Sequence, residues 1–223
     1  EEIVTEIASG DLGRMRGGLG RLKALDDSEQ RATLRGNRQV QAALAAVLAR
    51  GDADSIRTGL GLIAPFPADF QRSIREADPA REAIFAHYET RLRDAFSPDD
   101  QRWAYPVAEQ ELDTLSGLYE DSARVLQLRQ DLQRTRDTAL STLDARFNDL
   151  LKRGQLLPSG GTDDVADVLD TVRAIDPAHP LLSDRRLPLR YEELARAAIS
   201  DEEASGYERA FALLEASRAY APD

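Results

Sequence analysis

Cysteine is absent from this chain, which excludes disulfides, thiol catalysis and cysteine metal sites and fits the cytoplasm and the periplasm equally. Histidine occurs only twice, at His87 and His179, in separate contexts and with no second histidine at metal-ligand spacing. His87 reads as a helix-surface or interface residue and His179 as part of a proline-flanked loop. No apolar run approaches the roughly 18 residues that span a bilayer, and no signal-peptide pattern opens the chain, so direct membrane insertion is not expected. The chain begins at Glu1-Glu2 without an initiator Met, which fits a soluble fragment of a longer protein and leaves the compartment open.

Positive charge is also in deficit. Twenty-nine Lys and Arg stand against 40 Asp and Glu, a net charge of −11, which argues against nucleic acid and anionic lipid as partners because phosphate neutralisation needs clustered cations. Aromatic residues are scarce at 6%, with a single tryptophan, yet 42% of the 223 residues are apolar. That is enough to build a substantial core, as one elongated repeat domain or as two lobes.

Helical periodicity fills the chain, and no segment alternates like a strand. Leu12, Met15, Leu19, Leu22 and Leu25 recur at spacings of three and four despite glycines at 13, 17, 18 and 20. A second helix is predicted from the cap Ser28 to Gly51, kinked at Gly36-Asn37. Ala64-Pro65-Phe66-Pro67 stops the next helix, and Asp78-Pro79 opens one that carries Ile84, Phe85, Tyr88, Leu92 and Phe96 inward. Ser97-Pro98-Asp99-Asp100 reads as a cap and turn, and Val107, Leu112, Leu115 and Leu118 as another stripe. From Ser122 to Lys152 neither Pro nor Gly occurs, which predicts one continuous helix on the order of 45 Å long. Past the punctuated stretch Gly154–Gly161, helices are predicted over 163–175, 190–200 and 203–220.

The fold class expected is therefore all-α, an irregular stack of antiparallel helix pairs. The expected division is an N-terminal lobe over 1–120, a connecting helix over 121–153 and a C-terminal lobe over 154–223. A weak phrase recurs through it at about 40 to 55 residues, opening at Gly10-Asp11, Gly51-Asp52, Tyr105-Pro106, Gly161-Thr162 and Gly206-Tyr207.

Motifs for chemistry do not assemble, so no catalytic, cofactor or metal residue is predicted. Asp26-Asp27, Asp99-Asp100 and Asp163-Asp164 stand at helix starts, where the helix dipole favours negative charge. Asp52-Ala53-Asp54 lacks the twelfth-position acid of a calcium loop, and Gly17-Gly18-Leu19-Gly20 lacks the preceding strand and spacing of a phosphate loop. The long helix carries Arg124, Arg129, Arg134, Arg136, Arg146, Lys152 and Arg153 against five aspartates. These cations read chiefly as a solvated or internally paired face, with an acidic-partner surface as the other reading. Trp103 beside Tyr105 and Pro106 reads as a core cap or as an interface anchor.

Ala198, Ala210 and Pro222 lie twelve apart, with Tyr207 and Glu208 ahead of Ala210 and Leu214 four beyond it. This stretch resembles the tetratricopeptide repeat. Val165, Leu169, Val172 and Pro177 keep the spacing of that family's second helix, and so do Ala108, Leu112 and Leu115; the first helices depart in length and register. The text around Leu150–Pro158 and Ile175–Leu182 resembles helical regions that follow the catalytic domain in some bacterial serine/threonine protein kinases. These resemblances imply a non-enzymatic protein-interaction module, a regulatory or sensory region of a larger signalling protein. A small-ligand sensor or enzyme subunit with a site between lobes is the alternative. The repeat register implies a face-to-face contact between Ala198 and Ala210, and a groove strip of Glu192, Ala195, Ile199 and Glu202. Such a strip suits a protein or peptide partner with basic and apolar side chains; the oligomeric state stays open.

Overall fold

A computed structural model describes residues 1–157, 164–200 and 204–218. The protein is all-α: helices make up 80% of it, twelve α-helices among the described residues, packed in adjacent pairs. Two compact units divide between Arg91 and Leu92.

The first unit holds α1 (Glu2–Ile7), α2 (Leu12–Ala24), α3 (Ser28–Arg35), α4 (Arg38–Leu48), α5 (Ala53–Ile63), α6 (Ala68–Arg75) and most of α7 (Asp78–Ala95). Aspartate and asparagine caps set the starts of four of these. Arg14 N–H donates to Asp11 at 2.8 Å, Glu29 N–H to Asp27 at 2.8 Å, Gln39 N–H to Asn37 at 2.9 Å and Ser55 N–H to Asp52 at 2.8 Å. The recurring Gly-Asp phrase thus has a physical basis: Gly10 and Gly51 take φ of 75° and 77°, which turns the chain, and the next residue caps the new helix. Asn37 makes the expected kink a full break between α3 and α4. The segment after Pro67, where the sequence suggested only a stop, forms α6, because a proline at the threshold of a helix has no intrahelical N–H to lose. Ile7, Met15, Leu22, Leu44, Leu48, Ile63, Ile74, Ile84 and Phe85 are fully buried and form this unit's core.

The second unit holds α8 (Tyr105–Leu118), α9 (Ala123–Arg153), α10 (Val165–Ile175), α11 (Arg186–Ser200) and α12 (Ala204–Ser217). The expected absence of sheet needs a small correction. Before α8, β1 (Phe96–Ser97) and β2 (Arg102–Trp103) pair antiparallel across a turn at Pro98–Asp100 and Gln101, whose φ is 56°. The 31-residue α9 is continuous, lies wholly inside this unit and ends in a glycine cap: Gly154 has φ 67°, its N–H donates to Leu151 O at 3.3 Å, and Gln155 N–H donates to Leu150 O at 3.1 Å. Helix α11 begins four residues before the expected Arg190.

Ala198 and Ala210 are both buried, and α11 and α12 approach closely at Gly206, four residues before Ala210. A Cβ there would lie 2.3 Å from the Ala198 carbonyl oxygen, backbone that cannot yield. Gly17 on α2, by contrast, faces open space. Gly206→Ala should therefore cost about 1–3 kcal/mol through overpacking, whereas Gly17→Ala should gain up to about 1 kcal/mol from helix propensity. Chemical denaturation of both variants checks this, and a Gly206→Ala protein as stable as the parent would refute the close approach.

Candidate functional site

Helix α9 is buried at its ends and only partly covered in its middle. Val125 near the start and Ala139, Leu140, Leu143, Phe147, Leu150 and Leu151 toward the end are buried, while no residue from 126 to 138 is. The turns around Arg134, Thr138 and Thr142 therefore line open grooves on both flanks, one of about 860 Å³ beside Tyr105 and one of about 840 Å³ beside Trp103.

Tyr105 sets the frame. Its ring meets Phe96 edge-on at 5.4 Å, its hydroxyl donates to Gln133 Oε1 at 3.2 Å, and the Arg136 guanidinium lies 5.1 Å over its face. Arg136 also pairs with Asp176 at 2.7 Å, both side chains about three-quarters buried. Residues from β1, α8, α9 and the end of α10 are locked together in this way. Beside them, Trp103 on β2 is half-buried and forms one wall of the 840 Å³ groove, so it is partly core and partly free to meet a ligand.

The chemistry of that groove follows from what its side chains have left to offer. Thr135, Thr138, Thr142 and Thr171 each donate their hydroxyl hydrogen to the carbonyl four residues back, at 2.8–2.9 Å. A hydroxyl has one hydrogen, so these four present only lone pairs and methyl groups. Arg134 is paired with Asp131, and Asp170 with Arg173. Asp99 and Asp167, both exposed on the groove, have no ion-pair partner among the described residues. Arg146 and Gln101 also line the groove, so its surface combines threonine and aspartate acceptors with these donors over an apolar floor of Leu143, Val168 and Ala139.

The strip implied by the repeat register sits elsewhere, on α11. Glu192 is exposed and paired with Arg196, Ile199 is 43% exposed, and Ala195 is only 2% exposed. Ala195 belongs to the inward stripe Leu187, Tyr191, Ala195 and Ala198, and Glu202 lies outside the described residues. The α9 cations largely find internal partners: Arg129 with Asp113 at 2.8 Å and Arg153 with Asp149 at 2.8 Å join the pairs above. Asp27 and Asp164 act as caps, Asp54 pairs with Arg57, Gly18 packs tightly on Ile7, and His179 Nδ1 accepts from Leu181 N–H at 3.3 Å, capping a 3-10 turn. Asp163 lies outside the described residues. No cluster of three metal-ligating groups occurs among the described residues, and no helix there is long and apolar enough to cross a membrane. The groove threonines were the missed signal: Thr135, Thr138 and Thr142 share a helix face at spacings of three and four.

Comparison with protein-family models, with curated proteins and with solved structures finds no match.

Burial, and after it the Glu109 carboxylate, raises the Tyr105 pKa above its ordinary value, against the opposing pull of Arg136. A raised folded-state pKa means stability that is present below the unfolded value and lost as pH climbs through the folded one. Stability should therefore fall above about pH 10, and Tyr105→Phe should lose less on that climb. Denaturation followed at pH 8 and at about pH 10.5 checks this; equal alkaline losses in parent and variant would assign the ionisation to another group.

Proposed function

We propose that this protein is a non-enzymatic helical interaction module that holds a basic, partly apolar segment of a protein partner in the groove between α9, α10 and the Trp103 hairpin. One observation carries the reading: four threonines with their hydrogens spent and two unpaired aspartates leave the groove able to accept hydrogen bonds beside an indole face. Lys and Arg side chains supply donors, positive charge and a cation for that face, and their methylene stems suit the apolar floor. The tetratricopeptide-like spacing of Ala198, Ala210 and Pro222, and the kinase-region-like text over Arg146–Asp184, support placing such a module in a larger bacterial signalling protein as a regulatory or sensory part. The exposed Glu192 and Ile199 on α11 would then be a secondary contact for the same basic, partly apolar partner.

A second reading is favoured by size alone. A groove of about 840 Å³ falls within the range of small-molecule sites, roughly 300–1,000 Å³, which suits a sensor of small cationic amines.

Trp103 is the only tryptophan, so its emission reports this groove without labelling. Titration with a panel of 12-residue peptides combining Lys or Arg with Leu or Phe should shift that emission saturably and weaken at high salt. Asp99→Lys and Asp167→Lys should each weaken binding by about fivefold, roughly 1 kcal/mol per lost surface pair. Peptide binding that leaves Trp103 emission and both variants unaffected would remove the groove from the account. A saturable shift with spermidine and none with any peptide would instead establish the sensor reading.

A further inference from the structure

In the first unit a second surface has the opposite chemistry. A trough of about 530 Å³ between α2 and α5 is lined by Arg16, Lys23 and Arg57, and a notch of about 220 Å³ beside α3 is lined by Lys23, Arg31 and Arg35; the two share Lys23, Pro65 and Phe66. No Asp or Glu lines either one, in a chain that carries 40 of them. Arg57 is paired with Asp54 at 3.0 Å, whereas Arg16, Lys23, Arg31 and Arg35 have no carboxylate partner among the described residues. Arg31 and Arg35 are half-buried and four apart on one helix, where like charges repel. Arg35 Nε–H donates to the Arg31 carbonyl at 3.4 Å, and neither guanidinium has a carboxylate beside it among the described residues.

We infer that the α2–α3–α5 trough is a docking surface for an acidic, partly apolar peptide segment of another protein. Charge complementarity selects an anion, and the floor narrows the choice. Leu19, Leu22, Leu62 and Phe66 underlie the cations, and Gly20 and Gly61 expose helix backbone with no atom in front of it. A Glu- or Asp-bearing helix with Leu or Phe on the same face can satisfy both parts. A phosphodiester backbone offers nothing to the apolar part, and its dense charge meets a protein of net charge −11. This surface is independent of the Trp103 groove and selects a partner segment of opposite sign.

The test uses the full chain and fluorescein-labelled helix-forming 15-residue peptides with Glu and Leu or Phe at spacings of three and four. Their sequence-scrambled versions, a 20-nucleotide single-stranded DNA and vesicles containing phosphatidylglycerol serve as competing probes. Saturable anisotropy is expected with the patterned acidic peptides and at least tenfold weaker binding with the scrambled ones, the DNA and the vesicles. Arg16→Glu with Lys23→Glu, both at exposed sites, should weaken the peptide at least tenfold with helicity unchanged. The milder Lys23→Gln should weaken it about threefold, which guards against misfolding of the double variant. No saturable peptide binding, binding indifferent to these changes, or tighter binding of the DNA or the vesicles would overturn the inference. Because Trp103 lies in the other unit, unchanged Trp103 emission on acidic-peptide binding separates this result from the groove's own test.

Discussion

Burial of one apolar stripe on α9 is the constraint on which the second unit depends. Leu140, Leu143, Phe147, Leu150 and Leu151 are all at most 7% exposed, and side chains of this kind contribute about 1.5–3 kcal/mol each when fully buried. The ion pairs along the same helix are mostly exposed and contribute about 0–1 kcal/mol each. Packing therefore decides where α9 lies, and the charges adapt to it. Once its ends are buried, the middle turns are left over, and those turns supply Arg134, Thr135, Thr138 and Thr142 to the groove. Arg136 is the exception: with its guanidinium over Tyr105 and paired with Asp176, it is held in a part-buried setting where charge pairing and the aromatic face act together. Its buried Nε has no hydrogen-bond partner among the described residues.

Much of the helical order was legible in the residues because it depends on local chemistry. The continuous α9 follows from 31 residues without Pro or Gly, and the Gly-Asp phrases at 10–11 and 51–52 mark helix starts with a turn and a cap. Where reading failed, tertiary or one-residue effects prevailed. The segment over residues 64–67 ends α5 as expected, and Pro67 is also the residue from which the unforeseen α6 departs. Phe96 and Trp103 pair over two residues each, too short for any alternation to show.

The site was less legible than the fold, for a physical reason. Thr135, Thr138 and Thr142 on an uninterrupted helix look like an ordinary solvated face, and only the hairpin and α10 convert that face into a groove wall. The spending of each hydroxyl hydrogen on a carbonyl one turn back is invisible in sequence, yet it decides that these threonines accept rather than donate. The α11 strip shows the opposite error: its spacing is regular, but Ala195 falls on the inward stripe set by Leu187, Tyr191 and Ala198. Charge shows a similar division. Around α9 most cations are matched by aspartates, whereas Arg16, Lys23, Arg31 and Arg35, which line the α2–α3–α5 surface, are not, so an acidic chain also presents a cationic surface.

The central claim is that the uncovered turns of α9 form the recognition surface. Hydrogen-exchange mass spectrometry, with and without a saturating Lys- and Leu-containing peptide, addresses it most directly, because amides on exposed, sparsely packed turns open easily unless a ligand covers them. The expected result is slowed exchange confined to residues 134–143 and to the first turns of α10, with the buried C-terminal end of α9 unchanged. Protection confined to α11 and α12, or none in the second unit at saturation, would contradict it.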